Sequence, residues 1–217
     1  MKHYWLNKSG NPELLIFFAG WSFDEKPFEF LNTDGLDVVV IYDYRDLELD
    51  VDFSGYEKYY LVTWSMGVYI AALLRDKLPN FTRAVALNGT PMPIDNEFGI
   101  PNRTFDLTLK FAAEGLKGKF YQNVFYGEEQ LEKYWKAPVV RTIEDRVEEL
   151  HSLKSWINDK PADASGFYKI AYVSENDKII PPRNQHNAWE ELGVSVIVLP
   201  DGHFPFYNFK SWKEICK

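Results

Sequence analysis

The run Thr63-Trp64-Ser65-Met66-Gly67 places a serine between an apolar segment, Tyr59 to Thr63, and a helical pattern, Ser65 to Leu78. A tight strand-to-helix turn projects a serine hydroxyl clear of the backbone, and the crowding there demands small neighbours. The helix that starts beneath it offers unpaired N–H groups and a partial positive charge. The N–H of Met66 is therefore a natural donor to an oxyanion. The usual pattern for such a turn is G-x-S-x-G; Gly67 keeps its second glycine and Thr63 stands in place of its first. The competing reading is that Ser65 simply caps the helix.

A nucleophilic serine needs a base, and the base needs an orienting acid. The apolar run Lys169 to Val173 is followed by Ser174-Glu175-Asn176-Asp177, and Val194 to Leu199 by Pro200-Asp201-Gly202-His203-Phe204. Ser65, Asp177 and His203 thus each follow a strand-like run, in the chain order serine, acid, histidine. Among the other histidines, His3 falls near an edge strand, His151 in a helical stretch and His186 in a surface helix. Glu175 and Asp201 compete with Asp177 as the acid. Asp177 is favoured, because Asp201 is close enough to His203 to be shaping its turn instead.

A second oxyanion donor is expected after the run Leu14 to Ala19, where Gly20-Trp21-Ser22 follows. Gly20 permits a close backbone approach, and the Trp21 N–H would point at the oxyanion. The alternative is an ordinary strand-end turn with a packed indole.

These positions need a scaffold that gathers strand ends. Six short apolar runs (Leu14–Ala19, Val38–Tyr42, Tyr59–Thr63, Ala84–Leu87, Lys169–Val173 and Val194–Leu199) alternate with helical patterns. Unbroken apolar strands separated by helices predict a mostly parallel sheet covered on both faces, an α/β fold. His3 to Leu6 is expected to add an antiparallel edge strand. Ligand sites of open α/β sheets lie beyond the carboxyl ends of the strands, where all the residues above are placed. From about residue 91 to 165 the alternation stops, and the pattern predicts helices at Thr104–Leu116, Glu128–Trp135 and Thr142–Ile157, a helical cap inserted into one domain spanning 1–217.

Composition narrows the partners. A formal net charge of −8 disfavours nucleic acid. The one cysteine, Cys216, excludes an intrachain disulfide. Neither a long apolar leader nor a bilayer-length apolar stretch is present, so the expected location is cytoplasmic and no membrane partner is predicted. Aromatic residues make up 17% of the chain, enough for an aromatic-lined cleft or simply a bulky core.

Four segments, Phe17 to Asp24 (FFAGWSFD), Tyr59 to Val68 with its Trp-Ser elbow, Ala86 to Pro91 (ALNGTP) and Asp201 to Phe206 (DGHFPF), together resemble the BioG-type pimeloyl-[acyl-carrier protein] methyl ester esterases. The resemblance implies a small α/β-hydrolase with a shortened helical cap. It also implies hydrolysis of the methyl ester of pimeloyl-acyl carrier protein in biotin synthesis, without metal or organic cofactor. By motif, Ser65 would be the nucleophile, His203 the base and Asp177 the acid. Trp21 and Met66 would donate the oxyanion N–H groups, and Gly20, Trp21, Trp64 and Phe204 would surround the substrate. Thr63 in the elbow is then a family trait. Acyl carrier proteins are strongly acidic, so cationic side chains of the insertion would dock the carrier: Arg103, Arg141 and Arg146 foremost, with Lys110, Lys117, Lys119, Lys133 and Lys136 as further candidates. The competing account is a solvated helix face with internal ion pairs, for which Glu144, Glu148 and Glu149 are available. Two other functions compete: a serine hydrolase for another ester or thioester, and a non-catalytic binding module of the same fold.

Overall fold

The computed structural model describes residues 1–216; Lys217 lies outside them. Seven strands form one sheet: β1 (Lys2–Asn7), β2 (Glu13–Phe18), β3 (Asp37–Tyr42), β4 (Lys58–Trp64), β5 (Arg83–Leu87), β6 (Ile170–Ser174) and β7 (Ser195–Leu199). Their spatial order is β1-β3-β2-β4-β5-β6-β7. Every neighbouring pair is parallel except β1 with β3. The expected strands and the antiparallel edge are all present.

Alternate residues of each central strand feed two separate cores, as the period of two in a strand requires. Leu14, Ile16, Phe18, Val39, Ile41 and Leu61 pack on one face, while Leu15, Phe17, Val38, Val40, Val62 and Trp64 pack on the other. β7 departs from the expected burial: Ile197 and Val198 are 41% and 51% exposed. As the last strand of the sheet, it lacks the covering that central strands receive on both faces.

Eight α-helices are described: α1 (Met66–Leu73), α2 (Asn102–Lys110), α3 (Ala112–Gly115), α4 (Lys119–Val124), α5 (Gly127–Lys136), α6 (Ile143–Asp159), α7 (Pro182–Glu191) and α8 (Trp212–Ile215). α1 stops before the expected Leu78, and a short 3-10 turn at Arg75–Lys77 completes the segment. Five helices, α2 to α6, lie between β5 and β6. The pattern over Thr104–Leu116 is divided at Phe111, and α4 was not foreseen. Its six residues, Lys-Phe-Tyr-Gln-Asn-Val, are short and mostly poor helix formers, so tertiary packing of Tyr121 and Val124 stabilises a helix that local preference does not announce. No described helix is long and apolar enough to cross a membrane.

Candidate active site

The turn from β4 into α1 holds Ser65 at φ 56°, ψ −124°. A non-glycine residue at positive φ is strained and persists only where its surroundings over-determine it. Here they do. The Ser65 N–H donates to Leu87 O at 3.0 Å, tying the turn to the end of β5. Three glycines make the approach possible. A Cβ on Gly67 would lie 2.3 Å from Phe18 O, one on Gly89 2.5 Å from Ser65 O, and one on Gly20 3.0 Å from the Ser65 Cβ. The position of the missing glycine is not so constrained: Thr63 is fully buried and its hydroxyl donates to Val85 O at 3.2 Å. The side chain has room beside β5, so the turn needs no glycine there. Ser65 does not cap α1 with its side chain, which removes the competing structural role.

Asp177 and His203, from the loops after β6 and β7, meet Ser65 in one line. The Ser65 Oγ is 2.9 Å from His203 Nε2, and His203 Nδ1 is 2.8 Å from Asp177 Oδ2. All three are buried, with relative exposures of 6%, 2% and 6% for Ser65, His203 and Asp177. The remaining acceptor capacity of Asp177 is filled: Oδ1 takes the N–H groups of Ile179 and Ile180, and Oδ2 takes Gln185 Nε2 at 2.8 Å. A carboxylate so held is fixed in orientation. The rivals lie elsewhere. Asp201 accepts from Gly202 N, Gln130 Nε2 and Asn208 Nδ2, shaping the turn before His203. Glu175, His3 and His151 are exposed, and His186 sits on α7.

Two backbone N–H groups on segments next to Ser65 are left without a partner among the described residues. The N–H groups of Met66, at the start of α1, and of Trp21, after β2, have no acceptor among the described residues. Unpaired backbone donors of this kind are what an oxyanion hole requires. The Trp21 loop is itself pinned: its indole Nε1 donates to Arg146 O at 2.7 Å, and Phe23 N to Gly20 O at 3.2 Å.

Asn88, which sequence reasoning passed over, joins three strand ends. Its Nδ2 donates to Ser174 Oγ, Gly202 O and His203 O at 2.8, 3.0 and 3.0 Å, and its Oδ1 accepts from Ser174 N. Trp64 Nε1 also donates to His203 O, at 2.7 Å. Asn88 and Trp64 together fix the backbone that carries the imidazole. The signal was an asparagine before glycine at a strand end, where a side-chain amide can replace missing ladder partners.

Above Ser65 lies a cavity of about 300 Å³, walled by Trp21, Trp64 and Met66 below and by Phe105, Phe111 and Phe120 of the insertion. Its lining holds no carboxylate; apart from His203, its ionisable groups are Lys119 and Lys178, both exposed. Gly20 does not wall the cleft but leaves the space that Trp64 and Ser65 occupy. Phe204, expected at the substrate, is fully buried among Phe23, Phe28 and Phe206, with ring centroids 5.9, 5.5 and 5.0 Å away. As His203 turns towards the cleft, the next side chain turns into the core.

The docking arginines also need correction. Arg141 and Arg146 are only 8% and 6% exposed. Arg141 pairs with Glu149 at 2.7 Å and with Asp43 at 3.0 Å, while Arg146 donates to Tyr121 Oη at 2.5 Å and Thr142 O at 3.1 Å. Buried carboxylates and carbonyls draw both guanidinium groups inwards, away from any partner. Arg103 is exposed on α2. Among the described residues no cluster of three or more His, Cys, Asp or Glu side chains is arranged to hold a metal.

Comparison with known proteins agrees with this architecture. A family model described as "Pimeloyl-ACP methyl esterase BioG" matches residues 1–215. The crystal structure of BioG from Haemophilus influenzae superposes with a TM-score of 0.93 at 31% identity, covering 100% of both chains. An esterase from Exiguobacterium antarcticum shares the fold at a TM-score of 0.71 and 15% identity, over 95% of this chain and 90% of that one. A Bacteroides fragilis protein named malonyl-[acyl-carrier protein] O-methyltransferase is 36% identical over 93% of this chain, which spans only 41% of that longer protein. The fold is that of the α/β-hydrolase esterases, and with the family match running from the first strand through α8 the chain belongs to the BioG family of carboxylic ester hydrolases.

Proposed function

We propose that the chain hydrolyses the methyl ester of pimeloyl-acyl carrier protein through a Ser65–His203–Asp177 triad. The observation that carries this reading is the unbroken hydrogen-bonded line from Ser65 Oγ through His203 to Asp177, set beside the two unpaired N–H groups of Trp21 and Met66. His203 Nε2 takes the hydroxyl proton as Ser65 Oγ attacks the ester carbonyl carbon. The carbonyl oxygen becomes an oxyanion facing Trp21 N and Met66 N. Collapse breaks the bond to the methoxy oxygen, which leaves as methanol with the proton from His203. Water, deprotonated by His203, then attacks the acyl-Ser65 ester and releases the free carboxylate. Asp177 holds the imidazole in the useful tautomer and stabilises it when charged.

The apolar wall of the cleft suits a methylene chain, and the neutral ester suits a pocket without carboxylates. The acidic carrier protein docks at the rim through exposed cations, which Arg103, Lys119 and Lys178 supply. Pimeloyl-acyl carrier protein methyl ester incubated with purified protein should yield free acid and methanol, and Ser65→Ala should yield neither. Cleavage of short p-nitrophenyl esters with the carrier ester untouched would assign another substrate. Absence of stoichiometric fluorophosphonate labelling at Ser65 would leave a non-catalytic binding module.

A further inference from the structure

Glu149, on α6, is fully buried and touches neither Ser65 nor His203. A buried carboxylate destabilises the fold unless its oxygens are satisfied, and both oxygens of Glu149 are. Its Oε2 accepts the Ser22 N–H at 3.2 Å and Arg141 Nη1 at 2.7 Å, and its Oε1 accepts the Tyr44 N–H at 3.0 Å. Burial pushes the carboxyl up from its usual range, and Arg141 with the two N–H groups pulls against that shift.

Ser22 directly follows Trp21 and sits at φ 78°, in the left-handed region that non-glycine residues avoid. The peptide carrying the Ser22 N–H is the next one after the peptide carrying the Trp21 N–H. Its orientation fixes the turn that carries the Trp21 N–H. α6 grips the same loop a second time through Arg146 O, which accepts the Trp21 indole, while Arg146 Nη1 reaches Ser22 Oγ at 3.5 Å. Both contacts run from the helical insertion to the loop after β2, across more than a hundred residues of chain.

We propose that Glu149 is a positioning residue for ester hydrolysis: its carboxylate, braced by Arg141, locks the positive-φ turn at Ser22 and so aims the Trp21 N–H at the oxyanion. The role rests on the assignment of Ser65 as nucleophile and Trp21 N as oxyanion donor. It makes the insertion part of the catalytic apparatus as well as a wall of the cleft. It also explains why Arg141 faces inwards.

The test is Glu149→Gln, which keeps the shape but puts an NH2 donor against an N–H or guanidinium donor. Rates are measured on p-nitrophenyl butyrate and divided by active sites titrated with a fluorophosphonate, so that misfolded protein is not counted. Affinity is measured in parallel for a butyl trifluoromethyl ketone, whose serine adduct carries an oxyanion, and for butyrate, which forms none. The expected result is a fall in kcat of about 10- to 100-fold, below the roughly 10²–10³-fold cost of deleting an oxyanion donor. KM and butyrate affinity should stay near wild type, and ketone affinity should fall with kcat. A variant within about twofold of wild type per titrated site, or one whose ketone and butyrate affinities fall together, overturns the proposal. Should Glu149→Gln not fold, Glu149→Asp carries the same expectation, since it keeps the charge opposite Arg141 but withdraws the oxygens from Ser22 and Tyr44. A Ser65→Ala protein that still turns over ester refutes the underlying triad, and the proposal with it. A dead Ser65→Ala beside a normal Glu149→Gln refutes the positioning role alone.

Discussion

Gly67 presses its Cα against the carbonyl of Phe18: a Cβ there would lie 2.3 Å from that oxygen and 2.6 Å from Ala19 O. The second glycine of the elbow is thus where the first turn of α1 meets the end of β2, just before the Gly20–Trp21 loop. Neither neighbour is a flexible side-chain end, so the backbone itself would have to move. Gly67→Ala should destabilise the fold by about 1–3 kcal/mol or more and depress activity in whatever fraction folds. Urea unfolding midpoints read the first effect and rates per titrated site the second. An alanine variant as stable and active as wild type would mean the strand and helix can part at no cost.

His203 contacts both Ser65 and Asp177, so its removal breaks the line at its centre. His203→Ala should lower kcat by about 10³-fold or more, as triad members act as a unit, with fluorophosphonate labelling of Ser65 slowed in step. Near-normal turnover would refute its role as base.

Lys119 and Lys178 stand at the cleft on separate elements, one opening α4 and one in the loop after β6. Reversing both to Glu should raise KM for the carrier-bound ester several-fold, most at low salt where steering is strongest. Turnover of a small p-nitrophenyl ester should fall much less. Equal loss on both substrates points to a damaged cleft and removes the docking role.

Asp43 ties the loop after β3 to Lys2, Arg45 and Arg141. Burial raises its carboxyl, but hydrogen bonds from Arg45 and the charge of Arg141 outweigh this and hold it below the usual value. A depressed folded-state value means the contribution is present above the unfolded value near about 3.9 and is lost as pH falls through the folded one. The stability gap between wild type and Asp43→Asn should therefore be widest near neutrality and close on acidification below about pH 4. Chemical denaturation at a series of pH values measures it, and a gap that widens in acid reverses the sign of the argument.

Much of the frame was legible in the chain. The six apolar runs and the edge strand at His3–Leu6 were readable because a buried parallel strand needs continuous β-branched or aromatic residues, a purely local requirement. Ser65, Asp177 and His203 were readable for a related reason: the sheet sends every strand end to one edge, so position after a strand already implies proximity. Less local features were not readable. α4 is held by the packing of Tyr121 and Val124, and the exposure of β7 depends on its place at the end of the sheet.

The arginines show the limit most sharply. Sequence by itself determined that the insertion is helical and rich in cations, because helical periodicity and charge are written residue by residue. Only the tertiary structure decided that Arg103 faces out while Arg141 and Arg146 face in. The direction of a long charged side chain is set by where opposite charge and unpaired backbone groups lie in space. Asp43 draws in Arg141, and Tyr121 and Ser22 draw in Arg146, from segments that meet the two arginines only after folding.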